Sequence, residues 1–584
     1  MKSRQPILYF LAFLLALGLR FIQLGALPLT DTEATFALQA LALARGSKPL
    51  LGAQPGYILL TSIPFYLFES TNFLARFFPA LAGSLLVFSP YFFFSPLCPS
   101  DISPEGGENS PFPPRGKGRM GANPAIIAAF LLAIAPGLVA VSRQANGTML
   151  AVSFGIFAWA MWKEQRPQLT GIFAGIALLG GTSVWMGLLV AALTWALAQN
   201  LLPTEDVEEA EADSNHERTR ADDLKVALRY TGGTLLLVGT LFLLSPNGLS
   251  AFAASLGEFL RGWRYTSGVP ATRILGGLIA YYPFALLFGF IGSARAIFTN
   301  NRSGIALSLW AIVALLLVIF YPAHQVSDLI WAALPLWVLS AKELSEHLRL
   351  PDLDRNETFG VFALTILLLA FSWLNISGAG VLPPNAEMLT NRLILLGGSV
   401  ALLVLSLGLI AVGWSMDTAI LGGVWGTALM LGIYTLSTAW GSSELRTPKG
   451  IELWDNAPHV TRTGLLLETV EEVSTWARGD AQSLNITIKG IDSSALFWAL
   501  RNHNVDVVTT LDLTSVPELV ITPQAEQVEL ASTYRGQDFP WRQAPNWELN
   551  TNWAKWLALR EMPMQREQII LWARNDLFFD SQNE

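Results

Sequence analysis

Apolar residues run through this chain in long blocks separated by short polar breaks. A membrane-crossing helix needs about 20 apolar residues. By that measure the pattern predicts spans at roughly 7–27, 74–97, 124–142, 146–162, 169–183, 185–201, 226–245, 274–298, 304–321, 326–341, 357–376, 391–413 and 417–438, about thirteen in all. The pair inside 169–201 also reads as one long span, which would invert everything after it. The segment 28–73 holds a helical pattern from Ala34 to Arg45, closed by Gly46, then a Pro55-Gly56 break. The apolar stretch 57–68 that follows is too short to cross and reads as a re-entrant or interfacial helix. Residues 249–263 repeat Leu, Phe and Trp at helical spacing, the pattern of an amphipathic helix on a membrane surface.

From about Gly441 the pattern becomes that of a water-soluble unit. It predicts a helix at 463–478, a strand at 484–489, a helix at 493–503, strands near 505–509 and 518–522, and a closing strand at 569–574. Such alternation suggests a small α/β sandwich. The aromatic stretch 534–541, with Trp547, Trp553 and Trp556 beyond it, reads as a loop. Its indoles suit core packing and also the stacking faces of a sugar-binding platform. The chain therefore divides into a membrane body, 1–440, and a soluble domain, 441–584.

Composition agrees. Of 584 residues 52% are hydrophobic and only 14% charged, with a mean hydropathy of +0.42, the balance of a polytopic α-helical membrane protein. The net charge of −8 comes from acidic residues concentrated at 203–223 and in the last 140 or so positions, and no basic domain points to nucleic acid. One cysteine, Cys98, excludes an intramolecular disulfide and a cysteine-based zinc site. Short cytoplasmic loops are enriched in Lys and Arg. Lys2 and Arg4, then Arg115, Lys117 and Arg119, Lys163 and Arg166, Arg295 and Arg302, and Lys342 and Arg349 fall on one side. That side is the cytoplasm, so the N-terminus is inside, and segment 28–73 and the C-terminal domain are outside. Residues 98–123, rich in Pro, Gly and Ser, read as a disordered loop and 203–223 as an acidic linker.

Asp31 and Glu33 stand at the outer mouth of this body. A carboxylate beside an apolar wall has a raised proton affinity and can take a proton from an attacking hydroxyl, or hold a divalent ion. A structural role competes: Thr30-x-x-Glu33 is a helix capping box, and Asp31 is a favourable charge at a helix N-terminus. Arg76, Arg143, Arg261 and Arg264 fall at the same interface, where guanidinium groups suit a lipid phosphate or simply snorkel. Arg20, late in the first span, reads as a structural partner for Asp31 or Glu33. His324, Gln325 and Asp328 occupy another outer corner; His324 and Asp328, four apart, share a helix face or cap the next helix.

Several stretches resemble a known family. Arg20-Phe21-x-x-Leu24-Gly25-x-x-Pro28-Leu29-x-Asp31-x-Glu33-Ala34, followed by Arg45-Gly46, is similar to the opening of GT-C-class membrane glycosyltransferases, the branch of protein O-mannosyltransferases and aminoarabinose transferases. Ala75-Arg76-Phe77-Phe78-Pro79-Ala80-Leu81-Ala82-Gly83 and Ala135-Pro136 with Ser142-Arg143 resemble later pieces in the same order. The resemblance covers 30–165 well and the remaining spans by general pattern.

It implies a GT-C-like membrane body and transfer of a sugar from a polyprenyl-phosphate carrier to a lipid, glycan or protein acceptor on the extracytoplasmic side. Asp31 and Glu33 would be catalytic, and Arg76, Arg143, Arg261, Arg264, His324 and Asp328 substrate-binding. The expected reaction is a direct, inverting displacement, with no certain cofactor and a divalent ion without a clear ligand set. Two departures stand out. The family's adjacent acidic pair is split here by Thr32, and the Asp expected shortly after Arg143 is replaced by Gln144, Asn146 and Thr148. They favour a rival, a non-catalytic glycolipid-binding or flippase-associated protein.

Overall fold

The computed structural model describes residues 5–94, 123–201, 213–347, 355–383, 387–446, 451–454, 458–511, 516–524, 532–546 and 552–578. The expected loop at 98–123 (save Asn123), most of the acidic linker at 203–223, and Trp547 lie outside the described residues or their described side chains.

Among the described residues each apolar block predicted as a span is mostly helical, but the count of about thirteen is not confirmed. Among the described residues six helices are long and apolar enough to cross a membrane: Asn72–Phe94, Thr182–Leu201, Arg302–Phe320, Asn356–Val381, Glu387–Gly413 and Met416–Ser442. Two bent pairs raise the number to eight. Pro124–Ile134 and Pro136–Ser142 meet at 54°, and Ala271–Tyr281 and Pro283–Phe298 at 85°. In each pair a proline stands at the first position of the second helix, where it cannot donate to the preceding turn. Gln5–Phe21, Thr148–Lys163 and Pro167–Leu178 are apolar but shorter. The doubtful stretch 169–201 is two helices, Pro167–Leu178 and Thr182–Leu201, parted at Gly181, whose φ of +99° suits glycine.

Outside the spans, Asp31–Ala44 and Pro55–Leu67 form the helices expected in segment 28–73. Asn247–Arg261 forms the expected amphipathic helix, with Ala251, Ser255 and Phe259 buried and Leu256 and Leu260 exposed.

The C-terminal unit is one mixed six-stranded sheet of β1 (His459–Val460), β2 (Asn485–Lys489), β3 (Asn504–Val508), β4 (Leu519–Pro523), β5 (Tyr534–Pro545) and β6 (Met564–Arg574), in the order β1-β5-β6-β4-β2-β3. β2 runs parallel to β3 and β4, and the remaining pairings are antiparallel. The aromatic stretch 534–541, expected as a loop, is instead the first part of β5. Gly536 and Pro540 suggest a break, yet Phe539 and Trp541 alternate into the core and a register shift at Pro540/Arg542 absorbs the proline. Trp541 and Trp556 are fully buried, which makes them packing residues, whereas Trp553 stays 44% exposed.

One apolar core joins segment 28–73, the mouth of the helical body, to this sheet. Leu29, Ala34, Ala37, Leu41, Tyr57 and Phe65 pack in the same cluster as Leu484, Ile486, Leu496, Trp498 and Trp541. The sheet domain is thereby seated on the mouth.

Candidate active site

The chain leaves the first helix, Gln5–Phe21, through an irregular turn whose carbonyls lack helical partners. Two arginines supply them. Arg143 donates to the carbonyls of Leu19 (3.3 Å), Arg20 (3.0 Å), Ile22 (2.9 Å) and Gln23 (3.3 Å). Arg76 donates to those of Leu24 (3.3 Å), Leu27 (3.1 Å) and Pro28 (3.1 Å). The turn is thus fixed from both sides, and it delivers Thr30 to the N-cap of Asp31–Ala44.

The capping box read from Thr30 and Glu33 is present. The Thr30 amide and hydroxyl donate to Glu33 Oε2 (2.9 and 3.2 Å), and the Glu33 amide donates to Thr30 Oγ1 (3.4 Å). Glu33 does more than cap. Its carboxylate accepts from Arg76 Nε at 2.9 Å and Nη2 at 2.7 Å, and from the Ala145 amide at 2.8 Å, a bidentate buried ion pair with a fifth donor. Burial alone would raise its proton affinity, but Arg76 and the hydrogen bonds hold it below the usual carboxylate range. A carboxylate so held is a poor proton acceptor.

Asp31 points elsewhere. It accepts from Ser493 Oγ (2.6 Å) and the Ala495 amide (3.0 Å) and pairs with Arg542 on β5 (2.6 Å). Nearby, Thr35 meets Ser494 (2.8 Å), Trp498 donates to Asn72 (2.8 Å), and Arg501 donates to Ser70 Oγ (3.0 Å). Asp31 therefore latches the sheet domain to the mouth. Asp31→Asn is expected to weaken that seating by about 1–3 kcal/mol, the range for a hydrogen bond to a charged group. Faster protease cleavage between Gly441 and Thr463 measures it.

Between the mouth and the sheet domain lies a cavity of about 230 Å³. Glu33, Arg76, Arg143 and Gln144 line it from the membrane body. Glu444, Arg446, Glu452, Trp454, His459 and Gln543 line it from the segment after the last span and from the sheet. The second group was missed in the sequence. Its one signal was a cluster of charges just past Gly441, where the apolar pattern ends.

Of these, Glu452 is the most firmly held. It accepts from the Tyr281 hydroxyl and pairs with Arg560 Nε at 3.4 Å. Burial pushes its carboxyl above the ordinary range despite Arg560.

The other predicted residues lie apart from this cavity's walls. Arg261 and Arg264 are exposed at and just beyond the end of Asn247–Arg261. His324 is buried, with Nδ1 2.6 Å from the Tyr321 carbonyl and Nε2 2.8 Å from that of Val269. Asp328 accepts from the Gln325 amide at 2.9 Å and caps the short 3₁₀ turn Val326–Leu329, its carboxyl pushed up to about 6 by burial. Of the two sequence readings of this corner, the cap is the one built. Arg20 does not reach Asp31 or Glu33. It donates to the carbonyls of Ala16 (3.3 Å), Leu132 (3.2 Å) and Ala133 (3.0 Å) and to Ser142 Oγ (3.2 Å), where the break at Pro136 leaves backbone acceptors unpaired. Among the described residues no group of three or more His, Cys, Asp or Glu comes together to hold a metal ion.

No family model matches the chain, and no curated protein does. Solved structures do. ArnT from Cupriavidus metallidurans in the apo state superposes with a TM-score of 0.50 at 13% identity, over 96% of this chain and 97% of that one. The same protein bound to undecaprenyl phosphate gives 0.49 at 13% identity over the same shares. An Archaeoglobus fulgidus oligosaccharyltransferase tethered with an acceptor peptide gives 0.39 at 11% identity, over 86% of this chain and 64% of that one. The helical body, its mouth and the seated sheet domain thus share the fold of ArnT along almost the whole chain.

Proposed function

We propose that this chain is a membrane glycosyltransferase that moves a sugar from a polyprenyl-phosphate carrier to an acceptor on the extracytoplasmic side. The observation that carries this reading is the cavity at the mouth, where three arginines and three glutamates meet. A sugar phosphodiester brings one negative charge and several hydroxyls, and the leaving polyprenyl phosphate gains a second charge. Guanidinium groups stabilise that growing charge best where they are already fixed. Arg76 and Arg143 are fixed by the carbonyls of the first turn, and Arg446 faces the same space from beyond the last span. The carrier chemistry follows the ArnT relative, crystallised with undecaprenyl phosphate.

In this reading the acceptor oxygen attacks the anomeric carbon opposite the phosphate and inverts it. Glu33 stays charged and holds Arg76 in place. Arg261 and Arg264 belong to the surrounding exposed surface, where the carrier's lipid would lie, while His324 and Asp328 shape the corner beneath it.

Transfer from labelled polyprenyl-phosphate sugars by the purified full-length protein in liposomes tests the reading. The expected result is a labelled acceptor and released polyprenyl phosphate, with Arg446→Gln lowering kcat/KM about 10- to 100-fold, the cost of one or two lost charged hydrogen bonds. A specific observation supports the rival: both carboxylates of the first outer segment are committed to structural partners. Binding of polyprenyl phosphate with no transfer from any sugar-loaded carrier would establish the glycolipid-binding or flippase-associated role instead.

A further inference from the structure

The displacement needs a group to take the acceptor's proton, and the first outer segment does not provide one. Glu33 already accepts five hydrogen bonds, two from Arg76. Asp31 is spent on Arg542, Ser493 and Ala495 and is not among the residues lining the cavity.

We infer that Glu452 is the proton acceptor of this site, an inference that rests on the glycosyltransferase reading. Glu452 lines the same cavity as Glu33 and Arg76. Its position is set by a relay of definite direction. The Leu453 amide donates to the Tyr281 hydroxyl at 2.9 Å, so that hydroxyl's own proton is directed to Glu452 Oε2. Arg560 approaches Oε1 at 3.4 Å and is itself held over Tyr281 and Trp556. The carboxylate is therefore oriented by two neighbours rather than saturated by five, which leaves lone pairs for a substrate hydroxyl.

Tyr434, from the helix Met416–Ser442, and Arg446, just beyond that helix, also act on it, and Glu33, Arg76, Arg143, Glu444 and His459 line the same cavity. The desolvated setting that raises its proton affinity brings it toward the range a general base requires.

The step balances without a further reactant. The acceptor O–H bond breaks and its proton passes to a Glu452 oxygen. The acceptor oxygen forms the bond to the anomeric carbon as the carbon–oxygen bond to phosphate breaks, and that electron pair leaves with the polyprenyl phosphate. The proton on Glu452 then returns to water or to the departing phosphate.

The test uses full-length protein in liposomes with polyprenyl-phosphate sugar, and reads turnover, carrier binding and the pH profile. Glu452→Gln is expected to lose about 10²- to 10⁴-fold in kcat, the range for one general base, while polyprenyl phosphate still binds. Turnover above a tenth of wild type in that variant overturns the inference and leaves the glycosyltransferase reading intact. If Glu452→Gln does not fold, Tyr281→Phe decides. It removes a hydrogen bond to the charged carboxylate, so the acidic limb of kcat/KM should move to higher pH; a limb that stays in place overturns the assignment. If the wild-type protein transfers no sugar, both readings fall together.

Discussion

Glu33→Gln is expected to destabilise the protein by about 3–5 kcal/mol, the cost of removing one partner from a buried ion pair. The side chains of Glu33 and Arg76 are each 6% exposed and meet through two short contacts. The amide presents one neutral acceptor oxygen where two charged ones stood, and the buried Arg76 guanidinium loses its counter-charge. Equilibrium unfolding in mixed detergent micelles would report the loss. Arg76→Met should cost a similar amount, and the double variant less than the two single losses added, because it buries no unpaired charge.

The pH dependence has a definite sign. Glu33 is held below the usual carboxylate range. Its contribution is therefore complete above the unfolded value of about 4.3 and fades as pH falls through the lower folded value. Wild type should lose stability on acidification in that window, and Glu33→Gln should lack that component. Activity per folded Glu33→Gln molecule should be lowered, because Arg76 is less firmly held, but not abolished. A full-yield, stable Glu33→Gln protein with no transfer would instead return Glu33 to the role of base.

Much of this site was legible because it is built from local signals. The capping box needs only Thr30 and Glu33 at their spacing, and it forms as read. The three family-like stretches were informative because of their order, and their order has a physical reason. Glu33 from the first, Arg76 from the second and the Ala145 amide just after the third close on a single carboxylate.

What could not be read is non-local. Asp31 meets Arg542 across more than five hundred residues, and Glu452 meets Tyr281 and Arg560 from three separate parts of the chain. No periodicity encodes such pairings. The arginines were legible as interfacial cations, but not as donors to the turn that leaves the first helix. The count of about thirteen spans is not confirmed among the described residues, for another reason. Apolar length marks helices well, yet prolines at 136 and 283 divide two of them, and several helices inside the body are shorter than a membrane is thick.

The break at Pro136 is also a place where a single methyl group should be costly. Gly83, in the second span, faces Ser142, and a Cβ there would stand 2.0 Å from Ser142 Oγ and 2.8 Å from its Cβ. Rotation of the serine hydroxyl removes only the first clash, and that hydroxyl is engaged, accepting from Arg20 and donating to Leu138. Gly83→Ala must therefore push the second span away from the kink, at about 1–3 kcal/mol for overpacking, and loosen Arg20 from Ser142, at about 1.5–3 kcal/mol for a charged hydrogen bond. Arg76 lies on the same helix as Gly83, and Arg143 directly follows Ser142, so the displacement should also strain the contacts of Arg76 with Glu33 and of Arg143 with the first turn. Transfer per folded molecule should then fall at least tenfold, in addition to the loss of folded protein. Ser142→Ala provides the contrast: it gives up the hydroxyl but opens space, so it should cost about 1–3 kcal/mol and leave the cavity in register. Equal activity per folded molecule in Gly83→Ala and wild type would show that the kink holds the fold alone and that the site does not depend on it.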